Sequence, residues 1–217
     1  MANENRPFGL KPVRDKGGAP YNGAANPYYI PSGYATALFI GDPVVKTGTA
    51  NTAAVEVPGA GRFNIGTLPE INKTAAGDVV GATQRITGVI VGFAALPTDL
   101  SKNYNPASTA RVAYVCDDPN IIFEIQADGA IPATSIGLNA VLKHGTGSTT
   151  TGLSATVLDS GTTTAPSADA SNQLIILRAA NRDDNDTTLT YAKVEVMINA
   201  HTEGWGYTAA GDGTLGI

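Results

Sequence analysis

No stretch of this chain sustains the 3.6-residue apolar spacing of an amphipathic helix. Its apolar residues fall in short runs, rich in β-branched types at a spacing of two, and Gly, Pro, Asn and Asp punctuate them. Such a chain buries itself as strands, because alternate residues share one face of a strand and the punctuation supplies the turns. Strands are predicted at 36–40 and, after the turn Gly41-Asp42-Pro43, at Val44-Val45. The nearly continuous run 86–93, with Val89, Ile90 and Val91 between Gly88 and Gly92, reads as a central strand covered on both faces. Arg111–Cys116 and Ile121–Gln126 read as a hairpin across Asp117-Asp118-Pro119-Asn120. In its second strand Ile121, Phe123 and Ile125 share a face, with Glu124 and Gln126 opposite. Runs at 153–158, Leu174–Ala179 and 191–199 complete the set. In the last, Val194, Val196 and Ile198 face one way, and Lys193 and Glu195 the other. Only 136–143, after Ser135 as a cap, is predicted as a helical turn or two. The fold class is all-β: a β-sandwich or small β-barrel of short antiparallel strands.

Residues 1–35 differ from the rest. Pro7, Pro12, Pro20, Pro27 and Pro31, interspersed with glycines, exclude a helix, so this stretch is predicted as an extended N-terminal arm and 36–217 as a single β-rich domain. The arm holds four cations (Arg6, Lys11, Arg14, Lys16) against Glu4 and Asp15, a net +2, which leaves −7 for the body. Phe8, Leu10, Val13, Tyr21, Tyr28, Tyr29 and Tyr34 are too apolar for a solvated linker. Either the arm's own domain or a neighbouring molecule must bury them.

Composition removes several function classes. A net charge of −5 with no basic run argues against a duplex nucleic-acid binder, which needs clustered cations for the phosphates. Hydrophobic residues at 42% and charged residues at 15% are incompatible with a charge-driven disordered chain or a coiled coil. The opening residues have no apolar run of a secretion signal, and no stretch approaches the ~18 apolar residues of a membrane span. The expectation is a chain that stays in the cytoplasm where it is made, without a membrane partner. The one cysteine, Cys116, precedes Asp117 and Asp118, whose charge disfavours a thiolate, so an unreactive strand thiol is expected.

Catalytic and cofactor signatures are missing. Only His144 and His201 are present as histidines, and no Gly-x-Ser-x-Gly elbow accompanies them. His144 is expected to be mobile beside the 145–152 loop, and His201 to meet carboxylates after the last strand. The 145–152 loop, Gly-Thr-Gly-Ser-Thr-Thr-Thr-Gly, lacks the lysine and following helix of a phosphate loop. Asp183, Asp184 and Asp186 are dense in oxygen, but Thr188 and Val194 stand where an EF-hand needs Gly and Glu. The cluster is expected to be a solvated turn, and no cofactor or metal is predicted.

Three pieces carry a family likeness: Pro7-Phe8-Gly9-Leu10-Lys11-Pro12-Val13, Tyr28-Tyr29-Ile30-Pro31-Ser32-Gly33-Tyr34 and Leu38-Phe39-Ile40-Gly41-Asp42-Pro43-Val44. In these the chain resembles the structural cement, or head decoration, proteins of tailed bacteriophages. Looser likeness continues through 88–93 and 194–199, and it is sharpest before about residue 45. The resemblance implies a non-enzymatic virion protein on the capsid exterior that bridges major capsid protein subunits. It also implies a homo-oligomer, dimer or trimer. The arm is the natural bridge: Arg6, Lys11 and Arg14 suit acidic shell residues, and Phe8, Leu10, Tyr21, Tyr28, Tyr29 and Tyr34 suit apolar anchoring. Two other readings stand beside it. One is a tail- or fibre-associated β-domain binding host glycan or protein, poorly supplied for sugar stacking by the single tryptophan, Trp205. The other is a small β-fold hydrolase or lyase, which would need convergent carboxylates in a pocket.

Overall fold

The computed structural model describes residues 3–75, 85–161 and 164–203; Trp205 lies outside them. Two units of β-structure share the chain. The first is a closed barrel in the order β2 (Asn26–Ile30), β6 (Pro69–Lys73), β3 (Pro43–Ala50), β7 (Gly88–Phe93) and β8 (Arg111–Cys116). The second is an antiparallel sheet in the order β1 (Lys11–Asp15), β9 (Ile121–Gln126), β14 (Lys193–Ile198), β13 (Leu174–Ala179) and β10 (Asn139–Ala140). Two ribbons, β4 (Val55–Val57) with β5 (Gly61–Phe63) and β11 (Leu142–Lys143) with β12 (Val157–Leu158), complete it. The all-β class stands. Five strands close into a barrel because two of them bend: β3 slips register against β6 between Lys46 and Ala50, and β7 against β8 between Ile90 and Gly92.

Apolar side chains fill three regions. Tyr28, Ile30, Leu38, Val44, Ile71, Ile90, Ala113 and Val115 fill one, drawn from all five barrel strands and from Leu38. A second core joins barrel to sheet, with Val89 and Cys116 against Phe123, Ile125, Val194, Val196 and Ile176. Burying a side chain such as Phe123, fully enclosed here, contributes about 1.5–3 kcal/mol. Val57, Leu68, Ala94 and Val112 form the third, smaller cluster, to which the β4–β5 ribbon contributes.

Several expectations are corrected. Arg111–Cys116 and Ile121–Gln126 are strands but not a hairpin: β8 pairs with β2 and β7, whereas β9 pairs with β1 and β14. The Asp117–Asn120 loop carries the chain from barrel to sheet. Gln126 is not on a solvated face, because residues 3–6 cross over it: the Arg6 N–H donates to its Oε1 at 2.9 Å and its Nε2 donates to Asn5 Oδ1 at 2.9 Å. The predicted strand 36–40 survives only as two bridges, Leu38 with Asn105 and Ile40 with Leu153, and 153–158 shortens to Val157–Leu158. In place of a helix, 136–143 follows a single 3-10 turn at Ala133–Ser135 and becomes β10 and β11. Its backbone groups are claimed from across the sheet, Gly137 N–H by Ile176 O at 2.8 Å and Leu138 O by Ile176 N–H at 2.9 Å.

Residues 1–35, predicted as an extended arm, supply β1 to the sheet and β2 to the barrel. The junction is held by an unusually close backbone approach. Leu10 N–H donates to Gly41 O at 2.9 Å, Gly9 and Gly41 have φ of +74° and +91°, and a Cβ on Gly41 would stand 2.2 Å from Phe8 O. Only glycine accepts both the left-handed backbone and the contact. Two of the three sequence pieces that carry the family likeness are thereby brought together.

Candidate docking groove

Beside this junction lies an open groove of about 710 Å³. One wall is the N-terminal segment, from Glu4 through Pro12 to Tyr21; Ile40, Gly41 and Leu153 face it, and Ile90 and Val91 of β7 underlie it. Glu124, Arg182, Asp184 and Lys193 complete the lining. Phe8, Leu10, Pro12, Tyr21, Ile40, Val91 and Leu153 make much of the lining apolar.

Of the nine residues predicted to bind a partner, Arg6, Phe8, Leu10, Lys11 and Tyr21 meet in this groove. Leu10 is 1% exposed and forms floor rather than a projecting anchor. The other four are elsewhere. Arg14 donates through Nη2 to Glu195 Oε2 at 2.8 Å, sharing that carboxylate with Arg178 at 2.9 Å. Burial pulls the Glu195 carboxyl upward, but the bonds from Arg178 and Arg14 outweigh it and hold the group below its ordinary range. Tyr28 is buried in the barrel, and its hydroxyl donates to Asp117 Oδ2 at 2.8 Å. Tyr29 packs on the barrel flank, and Tyr34 accepts the Lys73 N–H through its hydroxyl oxygen at 3.0 Å. Ile40, Leu153, Glu124, Arg182 and Lys193 were not singled out as site residues from sequence. They come from separate strands and loops, and no local pattern joins them.

The groove's charges are mostly spent on one another. Glu4 pairs with Arg6 at 2.7 Å, Arg182 with Glu124 and Asp184 at 2.9 Å each, and Lys193 approaches Asp184 at 3.7 Å. Among the described residues Lys11 has no carboxylate within 4.0 Å. Four cations against three carboxylates make the groove locally positive in a chain of net −5.

A second polar cluster sits inside the protein. Asp42, with no exposed surface, accepts the Phe39 N–H at 2.9 Å, the Ser154 hydroxyl at 2.5 Å and the Lys73 ammonium at 2.7 Å. Next to it His144 contacts Thr74 O through Nε2 at 2.8 Å and Thr156 Oγ1 through Nδ1 at 2.9 Å. A carbonyl only accepts, so Nε2 carries the proton and Nδ1 receives the Thr156 hydroxyl. The expected mobility of His144 is therefore corrected: both ring nitrogens are held. Burial, with the Lys73 ammonium nearby, pushes its pKa below 6.5. Ser154 and Thr156 are as buried as Asp42, and neither lines the groove. The hydroxyl–histidine contact thus meets no substrate surface there.

His201 is buried, its Nδ1 accepts the Glu203 N–H at 3.0 Å, and burial lowers its pKa despite nearby Glu203 and Asp117. Cys116 is enclosed in the shared core and burial raises its thiol to about 11, which disfavours the thiolate at neutral pH. Near 183–186, Asp184 is paired with Arg182, and Asp186 accepts the Thr188 N–H at 2.9 Å. No three His, Cys, Asp or Glu side chains converge on a metal-binding geometry among the described residues. No helix among them is long and apolar enough to cross a membrane. No family model, curated protein or solved structure matches the chain.

Proposed function

We propose that this chain is a non-enzymatic virion structural protein that decorates the outside of a bacteriophage capsid and cements it by bridging major capsid protein subunits. The observation that carries the reading is the groove. Its wall is the N-terminal segment that resembles cement proteins, and that segment is locked into both sheet and barrel, so the surface is pre-ordered for protein contact. A cement must resist being pulled apart. A docking surface stapled through β1, β2 and the Gly9–Gly41 contact transmits load into two cores rather than into a loop.

The test mixes the purified protein with capsids lacking it, sediments the particles and images them by cryo-electron microscopy. Regular density bridging adjoining shell subunits is the expected result. Failure to co-sediment with expanded heads, or attachment to tails alone, overturns the reading. Removing residues 2–16 is a poor probe because it deletes β1 and the buried Leu10, so Arg6→Glu serves better. Arg6 is 78% exposed along its side chain, and its reversal is expected to lower occupancy without unfolding the protein.

A further inference from the structure

Away from the groove, the buried polar cluster holds a nucleophile against an acyl group. Asp42 directly precedes β3 and Lys73 is the last residue of β6; the two strands pair antiparallel, with Val44 opposite Lys73. Adjacent strands of a closed barrel thus fix both side chains. Asp42 has no exposed surface, the Lys73 side chain is 11% exposed, and Nζ lies 2.7 Å from Oδ1. Holding two ions in such a place is costly, because each has given up its water. An amide joining the two side chains carries no charge, so forming it removes that cost.

The two carboxylate oxygens are held differently, and the difference matches what a condensation requires. Oδ1 faces the Lys73 ammonium and, at 2.5 Å, the Ser154 hydroxyl, both of which carry transferable protons. Oδ2 accepts the Phe39 N–H at 2.9 Å. The first setting suits an oxygen that departs as water. The second suits an oxygen that takes negative charge in a tetrahedral intermediate and keeps the same donor in the product.

We infer that Lys73 and Asp42 condense to an isopeptide bond that ties the end of β6 to the start of β3. Nζ passes one proton to Oδ1 across their contact, and the amine so freed attacks Cγ while the C=O electron pair moves onto Oδ2 beside the Phe39 N–H. Nζ then gives up a second proton, again to Oδ1, as the electron pair on Oδ2 returns, the Cγ–Oδ1 bond breaks and water departs. Both protons lost by nitrogen leave in that water, so the step needs no oxidant, no cofactor and no net proton. A carboxyl without an activating group reacts slowly, but two reactants held in contact have a high effective concentration. Freshly folded protein holds the pair as ions, and the amide accumulates as the molecule ages. Such a bond would suit a load-bearing cement, yet it does not depend on that reading.

The test follows the intact mass of the purified full-length protein at neutral pH over a month. A species lighter by one water, about 18 Da, should grow in with time. Trypsin should then release a linked peptide joining residues 17–46 to 63–85, because a lysine bound as an amide is no longer cleaved. Protein held unfolded in urea should yield none of it, since the contact is lost with the barrel. Lys73→Met should also yield none, and Ser154→Ala, which leaves both reactants in place, should slow the bond by about a hundredfold. Full mass throughout the month, loss of water without the linked peptide, or equal yield from the unfolded chain would overturn the proposal. The decisive readings come from the unaltered protein and so do not depend on whether a variant folds. They are made without capsids, so the bond and shell occupancy can fail separately.

Discussion

Replacing Lys73 by Met isolates the buried carboxylate of Asp42. The Lys73 side chain is 11% exposed and its ammonium lies 2.7 Å from Asp42 Oδ1, while Asp42 has no exposed surface at all. Removing one partner of such a pair costs about 3–5 kcal/mol, because the remaining charge stays desolvated. The Phe39 N–H and the Ser154 hydroxyl still face Asp42, which places the expected loss near the lower end, about 3 kcal/mol. Adding Asp42→Asn should then help rather than harm. A neutral amide accepts the Phe39 N–H, donates to Ser154 and needs no counter-ion, so the double variant should be about 1–2 kcal/mol more stable than Lys73→Met alone. Urea unfolding at pH 7 followed by far-ultraviolet circular dichroism measures each corner of the cycle. With a slope of about 2–3 kcal/mol per molar, the single variant's midpoint should fall by about 1 M. A loss under about 1 kcal/mol for Lys73→Met, or further destabilisation on adding Asp42→Asn, would refute the idea that this pair is a desolvated charge held by mutual need.

Acid should weaken the fold through both histidines. Their folded pKa values lie below 6.5, so the unfolded chain binds protons first; the stability they contribute is complete above pH 6.5 and is lost as pH falls toward the folded values. Between pH 6.5 and 5.5 the unfolding free energy should decline by at most about 1.4 kcal/mol per pH unit per histidine, and His144→Gln should roughly halve that slope; a flat profile contradicts it. Gly41→Ala should cost about 2–4 kcal/mol in the same urea assay, since it adds a carbon 2.2 Å from Phe8 O to a φ of +91°. Gly59→Ala, at φ +80° with nothing within 4 Å, should cost only about 1 kcal/mol, and equal losses would count against the close-contact argument.

What the sequence conveys is local. The spans 111–116, 121–126 and 174–179 are legible to the residue, and 193–198 sits within its predicted run, because alternation of side chains is a property of one strand. Partnership is not. Asp117-Asp118-Pro119-Asn120 has turn chemistry whether the chain folds back or crosses to another sheet, and only the distant β1, β2, β7 and β14 decide. Gln126 shows the same limit: its outward direction follows from the alternation, but its cover comes from residues 3–6. Of the groove, the N-terminal wall was legible as apolar residues in need of burial. The meeting of Ile40 and Leu153 with the segment, and the lack of a carboxylate beside Lys11 among the described residues, exist only once barrel and sheet meet. Asp42 reads as a turn residue from its Gly-Asp-Pro neighbours, and nothing local marks it as the acceptor of Lys73 and Ser154.

The pairing of β1 with β9, and the Asn3 side chain's bonds to Asp186 O at 2.7 Å and Thr190 O at 2.9 Å, set an order in time as well as in space. β1 cannot pair with β9 until more than a hundred residues have followed it, although its segment has nearer contacts, such as Leu10 N–H with Gly41 O, and the partners of Asn3 lie 183 and 187 residues on. Such long-range closure is slow, since loop entropy must be overcome before any contact rewards it. Because its lining runs from Glu4 to Lys193, the groove is complete only after these distant segments have met, late in folding.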